Sequence, residues 1–202
     1  TEDKKFDKVQ LQRMQALYDK ARALGIDLGL RHAASSAGIF ESESYYLDMI
    51  RPGIALYGYY PNARTLEEDA LSLRPVLSFK SRVADVKTVN QGESVSYLRE
   101  HKAERKEKVA VIPVGYSDGY PLTGKAEVLI RGQRCPVLDT ITANHMEARV
   151  GLDSNIKPGD EVVLIGAQGS EKITADDLAA WAGVSNYKVL ISLGEGIPRL
   201  SS

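Results

Sequence analysis

The sequence predicts an α/β segment followed by an antiparallel β domain. Three observations carry this reading. Residues 1–60 combine one helical run with short apolar runs bounded by Gly and small residues. From residue 74 onward the pattern changes to short alternating stretches separated by Gly or Pro turns. The composition, 202 residues with 43% hydrophobic and 26% charged, is that of an ordinary globular chain.

The elements follow in order. Phe6, Val9, Met14, Leu17, Ala21 and Leu24 fall near one face at helical spacing, and Gly25 stops that helix. Residues 26–30 are short and apolar and read as a strand. Residues 33–38 are a run of small residues expected to turn. Residues 49–58 read as a second buried strand, giving an α/β pattern. Residues 61–73 are a linker or short helix with Pro61-Asn62 as its turn. In residues 74–202 strands are expected over 76–83, 84–89, 109–114, 126–130, 148–150 and 161–165. Turns fall at Gln91-Gly92, Arg131-Gly132 and Lys157-Pro158-Gly159. Thr174, with Asp177 three residues on, forms a capping box for a helix over 175–182 that ends at Gly183. A last strand is expected over 187–193.

Charge and cysteine content exclude several classes. The net charge of −1 gives no basic face for nucleic acid or a polybasic membrane contact. The mixed-sign runs 99–102 and 104–107 read as solvated faces. One cysteine, Cys135, excludes an internal disulfide framework and a multi-cysteine zinc site, so no metal is expected. It points to a reducing cytoplasm. No apolar run approaches the roughly 18 residues that cross a bilayer, and no signal peptide is visible. The chain lacks an initiator Met and opens in a charged helical stretch, which reads as a fragment or processed product. A helix and two parallel-type strands need cover on both faces, so a preceding part of a barrel is expected.

Several segments carry a resemblance. His32-Ala33-Ala34-Ser35-Ser36-Ala37 and the run from Asp48 through Arg51-Pro52-Gly53-Ile54 to Gly58 are similar to the last two barrel strands of the alanine racemase family. Lys80-Ser81-Arg82-Val83, Gly92-Glu93-Ser94-Val95-Ser96-Tyr97, the run from Ile112 through Gly115-Tyr116-Ser117-Asp118-Gly119-Tyr120 to Pro121, Gly159-Asp160-Glu161-Val162, Asn186-Tyr187 and Ile197-Pro198-Arg199 resemble that family's C-terminal β domain. The match is collinear over nearly the whole chain. It implies the last strands of a (β/α)8 TIM barrel over residues 1–60, the linker 61–73 and a β-barrel-like domain over 74–202. It further implies a homodimer in which the β domain of one subunit completes the active site of the other, at the barrel's C-terminal face.

The resemblance implies pyridoxal 5'-phosphate as cofactor, a small amino acid as substrate, and interconversion of L- and D-alanine that supplies a D-amino acid for peptidoglycan. The cofactor acts as electron sink while two bases on opposite faces move the α-proton. Tyr97 matches the tyrosine base; read alone, it is an aromatic on a half-buried strand, and the matching motif reverses that reading. Arg51 matches the arginine that donates to the pyridine nitrogen, and a guanidinium keeps its proton; alone it is a strand-end arginine suited to a salt bridge. His32 matches the histidine that buttresses it. Phosphate binding falls to Ser36, the amides of Gly53 and Ile54, and the hydroxyl of Tyr187, aided by a helix start after Ser36; Ser35 and Ser36 are also ordinary cap residues. Tyr116 matches an inner-gate tyrosine, and Asp118 either lies near the entrance or holds a turn.

The departures from the family pattern cluster at the pocket. Asp139-Thr140 replaces Gly-Arg, Ala143 replaces the Met whose amide meets the substrate carboxylate, Asn144 replaces Asp, and Leu98 replaces the Gly after the tyrosine base. Ser35 stands where Asn is usual, Ser185 where an apolar residue is frequent, and Glu195-Gly196 in a stretch that often carries Arg. Ala143 frees volume and Asn144 offers both donor and acceptor, so a preference for serine or a larger amino acid is the alternative. No Lys here has the family's cofactor-binding setting, so the chain by itself is expected to be inactive. A non-catalytic β dimerisation module and a receptor-linked serine racemase with an upstream membrane domain are the remaining readings.

Overall fold

The computed structural model describes residues 4–68, 71–138 and 140–201. Asp139, one of the departures above, and residues 69–70 of the linker lie outside the described residues. The chain divides into two compact units, Thr1–Val76 and Leu77–Ser202.

The first unit opens with α1, Lys4–Ala23. Gly25, in the left-handed region at φ 73°, ends it. The Ile26 amide donates to Ala21 O at 2.9 Å and the Gly25 amide to Arg22 O at 3.0 Å, which satisfies two of the helix's last carbonyls. The strand expected over 26–30 does not form. The Asp27 carboxylate accepts the Gly29 amide at 2.8 Å, and that local turn takes up a donor a ladder would need. Strand β1 is instead His32–Ser35, drawn from the small-residue run expected to turn. Ser35, extended at φ −80° and ψ −177°, passes directly into the short helix α2, Ser36–Glu41. Helix spacing then places Ile39 beside Ala34 and Tyr45, with Leu11 and Tyr46 packed against them.

Strand β2, Met49–Arg51, runs parallel to β1, with Ser35 opposite Arg51. It stops well short of the expected residue 58. Pro52 has no N–H to extend a ladder, and residues 54–57 form a single 3-10 turn closed by Gly58 at φ 78°. A Cβ on Gly58 would sit 1.8 Å from the Arg74 carbonyl oxygen, so only glycine fits there. Helix α3, Ala63–Glu68, follows Asn62, whose Oδ1 accepts the Thr65 amide at 2.9 Å.

The second unit holds ten strands among the described residues. These are β3 (Phe79–Arg82), β4 (Asp85–Val89), β5 (Ser94–Val95), β6 (His101–Lys102), β7 (Glu107–Ile112), β8 (Glu127–Ile130), β9 (Gln133–Pro136), β10 (Met146–Val150), β11 (Glu161–Gln168) and β12 (Glu171–Ile173). All their pairings are antiparallel, as the period-two patterning predicts. One sheet has the order β10-β7-β4; a second has β12-β11-β8-β9, with β3 also on β11. The chain passes between the sheets at residues 83–84, where the Val83 amide donates to Asp160 O and the Ala84 amide to Val111 O. An isolated bridge between Val137 and Ala148 joins them again. This double seam gives the barrel-like character expected.

Two helices close the unit. Helix α4, Ala175–Ala182, carries the expected capping box and ends at Gly183 in the left-handed region. Its Trp181 packs against buried Leu129, Val163 and Ile173. The last expected strand is a helix instead: α5, Asn186–Ile191, begins at Ser185, whose hydroxyl accepts the Lys188 amide. Val189 and Leu190 are buried within it, and Leu193 is buried just beyond its end.

The charged runs 99–102 and 104–107 need a correction as well. Most of these side chains are exposed, but His101 and Glu107 are each only 8% exposed.

Candidate active site

In the first unit, the parallel pair β1/β2 brings the ends of two segments together. Ser36, 1% exposed, turns its hydroxyl toward the start of the 3-10 turn. Its Oγ accepts the Gly53 amide at 2.9 Å and the Ala55 amide at 3.3 Å. Both N–H groups are thereby engaged by the hydroxyl, and the Ile54 amide between them has no hydrogen-bond acceptor among the described residues. Ile54 lies between these amides with its side chain buried; the second amide at the hydroxyl is Ala55, which sequence reasoning did not single out. A Cβ on Gly53 would meet only Ser36 Oγ, at 4.0 Å, so that backbone is open to approach.

Arg51, opposite Ser35, donates to the Ala33 carbonyl at 3.3 Å. Among the described residues no hydrogen bond joins it to the exposed His32. A two-pronged ion pair lies nearby in this unit. Arg31 grips Asp48 with Nε and Nη2, both at 2.9 Å, and this holds the Asp48 carboxyl well below the usual carboxylate range.

In the second unit the remaining candidates lie on four segments joined edge to edge. Tyr97, 68% exposed, sits in the loop between β5 and β6. Three residues on, the Glu100 carboxylate accepts from Thr140 Oγ1. From there the chain runs to Thr142 and Ala143, whose carbonyls accept the amides of Tyr116 and Ser117, each at 3.0 Å. The Ser117 hydroxyl also donates to Ala143 O at 2.6 Å and lies 3.0 Å from Asn144 Oδ1, a second acceptor. Among the described residues no hydrogen bond takes the Ala143 amide. Asp118 holds its turn through the Gly115 amide at 2.9 Å, so its carboxylate serves the loop. The Gly194 amide donates to Asp118 O at 3.0 Å, and this ties the loop to the end of α5, which carries Tyr187.

Two glycines permit this arrangement. A Cβ on Gly115 would stand 2.2 Å from Thr142 O, and one on Gly119 would stand 1.8 Å from Ser192 O. Tyr97, Tyr116, Ala143, Asn144 and Tyr187 therefore share one continuous band of hydrogen-bonded loops.

Family comparison decides what this band belongs to. The family described as alanine racemase, C-terminal domain, matches residues 76–201, and the alanine racemase N-terminal domain matches residues 1–61. This chain belongs to the alanine racemase family. The alanine racemase of Symbiobacterium thermophilum is 41% identical over 196 residues, which is 96% of this chain and 52% of that protein. The chain thus spans about half the length of the curated relatives it matches. Among solved structures, Bacillus anthracis alanine racemase with bound L-Ala-P superposes with a TM-score of 0.86 at 30% identity, covering 94% of this chain and 48% of that one. Alanine racemase from Bartonella henselae, with covalently bound pyridoxal phosphate, gives 0.73 at 26% identity, covering 91% and 50%. The fold is accordingly that of the alanine racemase barrel end followed by its β domain, as the sequence resemblance implies. Among the described residues no helix is long and apolar enough to cross a membrane.

Against the family background, sequence reasoning missed Ser117, which clasps Ala143, and the buried pair His101 and Glu107. The signal for Glu107 was available, because it has the strand parity of the buried Val109 two residues later.

Proposed function

We propose that this chain is part of a pyridoxal-phosphate-dependent racemase that interconverts L- and D-alanine by two-base proton transfer. The observation that carries the reading is the hydrogen-bonded band linking the Tyr97 loop, Ala143 and the Tyr116 turn to α5. The residues present fit the cofactor. The Ser36 hydroxyl, set in place by the amides of Gly53 and Ala55, and the Ile54 amide, which has no acceptor among the described residues, suit a phosphate monoester, and the Gly53 backbone is open to approach. Tyr187, on α5, is the phenol assigned to phosphate binding.

Bound pyridoxal phosphate supplies an electron sink for the carbanion at the substrate's α-carbon. The remaining roles belong to the chain. Tyr97 holds and moves the α-proton on one face through its hydroxyl, an acid–base role that needs a positioned phenol. Arg51 would donate to the ring nitrogen, and permanently, since its guanidinium does not release a proton. His32 lies opposite Met49 on the neighbouring strand, and its support of Arg51 is part of the proposal. The Ala143 amide meets the substrate carboxylate, and Tyr116 lines the approach. No lysine among these 202 residues is assigned the second base, and the chain spans about half the length of its curated relatives. The exposure of Tyr97 suits a homodimer in which a partner's barrel covers it. We place the enzyme in the cytoplasm, where its product would serve peptidoglycan.

One observation favours a second reading. Asn144 borders the clasp at Ser117 with an amide that both donates and accepts, which suits a substrate hydroxyl and hence serine. Assay of the full-length protein with L-alanine and L-serine tests both. D-alanine formation lost on Tyr97→Phe supports the reading; turnover of neither amino acid overturns it.

A further inference from the structure

The loop that carries Tyr97 is poorly supported by its own strands. β5 and β6 pair at only two positions, Ser94 with Lys102 and Val95 with His101, and a short two-stranded ribbon is marginal in water. Three side-chain-bearing residues of this loop occupy the left-handed region: Ser96 at φ 66°, Leu98 at 56° and Arg99 at 56°. Such backbone persists only where the surroundings fix it. Two contacts on the loop, Arg99 Nε to Ser94 Oγ at 3.1 Å and Thr140 to Glu100, are exposed and hold weakly.

The buried support comes from below. Val95 packs on Val89, Ala103, Val109 and Leu138. Beside that cluster the Glu107 carboxylate pairs with His101 Nε2 through Oε1 and accepts Arg149 Nε at 2.9 Å through Oε2. Glu107 lies opposite Val89 on β4, and Arg149 on β10, opposite Val109 on β7, reaches it diagonally. One acid thus ties β6 to the three-stranded sheet. Burial pushes the Glu107 carboxyl up, but the hydrogen bonds from His101 and Arg149 outweigh it and hold the acid in its charged form.

We propose that Glu107 is a positioning residue: gripped by His101 and Arg149, it fixes the backbone that presents Tyr97. This rests on the reading of Tyr97 as the base. A carboxylate suits the place because its two oxygens engage a ring N–H and a guanidinium at once.

Amide hydrogen exchange on the 202-residue chain tests the positioning directly. Glu107→Gln is expected to raise exchange over residues 96–102 about tenfold while β8 and β11 stay within about twofold, as local opening requires. In the full-length protein the same substitution is expected to lower kcat about tenfold with KM within about threefold, and to cause no further fall in a Tyr97→Phe background. Unchanged exchange over 96–102, or an equal fall in that background, overturns the proposal. If Glu107→Gln unfolds the domain, His101→Phe keeps the Glu107–Arg149 pair and should raise the same local exchange; no rise overturns it too. Full activity of Tyr97→Phe alone would instead remove Tyr97 as the base, with the exchange result still judging the positioning.

Discussion

The Ser36 hydroxyl stands 2.9 Å from the Gly53 amide, a contact that ties the start of α2 to the end of β2. Because the Ala55 amide shares the same oxygen, removing it strands two donors near a buried site. Ser36→Ala should cost about 1–3 kcal/mol of unfolding free energy, read as a lower denaturant midpoint of this chain. In the full-length protein it should weaken pyridoxal phosphate binding about tenfold, measured by cofactor titration, since each 1.4 kcal/mol is one decade.

The clasp between the Tyr116 turn and residues 142–144 makes a graded prediction for glycines. Gly115→Ala and Gly119→Ala place a Cβ within 2.2 and 1.8 Å of fixed carbonyl oxygens, and should each destabilise by about 3 kcal/mol or more. Gly25→Ala meets nothing within 4 Å and carries only the strain of φ +73°, about 1 kcal/mol. Thermal denaturation of the three variants checks the order.

Much of this was legible in the sequence because local rules and tertiary packing agree there. The capping box at Thr174, the Gly25 stop and the β4, β7 and β11 patterns all form as read. Residues 26–30 and 187–193 failed for the same reason: short apolar runs have no period that separates strand from helix or coil. A local side-chain bond, Asp27 to the Gly29 amide in one case and Ser185 to Lys188 in the other, decides them. The site was readable at Tyr97, Ser36 and Arg51 through motif, whereas the ties among the loops run between residues distant in sequence, such as Ser117 and Ala143. Glu107 and His101 were hidden in a charged run whose neighbours are solvated.

Two glutamates on one face of the β10-β7-β4 sheet should answer acid in opposite directions. The folded state holds the Glu107 carboxyl below its ordinary value, so its stabilisation is complete above that value and is lost as pH falls through the lowered one. Glu147 is pushed up, chiefly by burial, with the His145 and Lys87 charges opposing; its Oε2 is buried without a partner. Its penalty is full at neutral pH and is relieved as pH falls through the raised value. Glu107→Gln should therefore raise amide exchange over residues 96–102 about tenfold at neutral pH, with the difference shrinking in acid. Glu147→Met should stabilise by about 1 kcal/mol at neutral pH and lose that advantage in acid. Local exchange for the first and denaturant midpoints for the second, measured across the acid range, distinguish the two signs.

Cys135 is buried on β9, and burial, with Glu127 adding to it, pushes its thiol up to about 11. A thiol so placed carries little thiolate at neutral pH and is inert. Alkylation by iodoacetamide should proceed only in denaturant, and rapid labelling of the native chain would show that β9 opens readily.

The central claim is that the Tyr97 hydroxyl moves the α-proton. It is tested most directly by racemisation of L- and D-alanine by the full-length protein and its Tyr97→Phe variant, with loss of Cα–H to deuterated solvent followed by NMR. The expected result is a fall in kcat on the order of 10²–10⁴, with secondary structure and cofactor binding retained. Exchange and racemisation within about twofold of the unsubstituted protein in both directions, less than the loss of a general base produces, would contradict it.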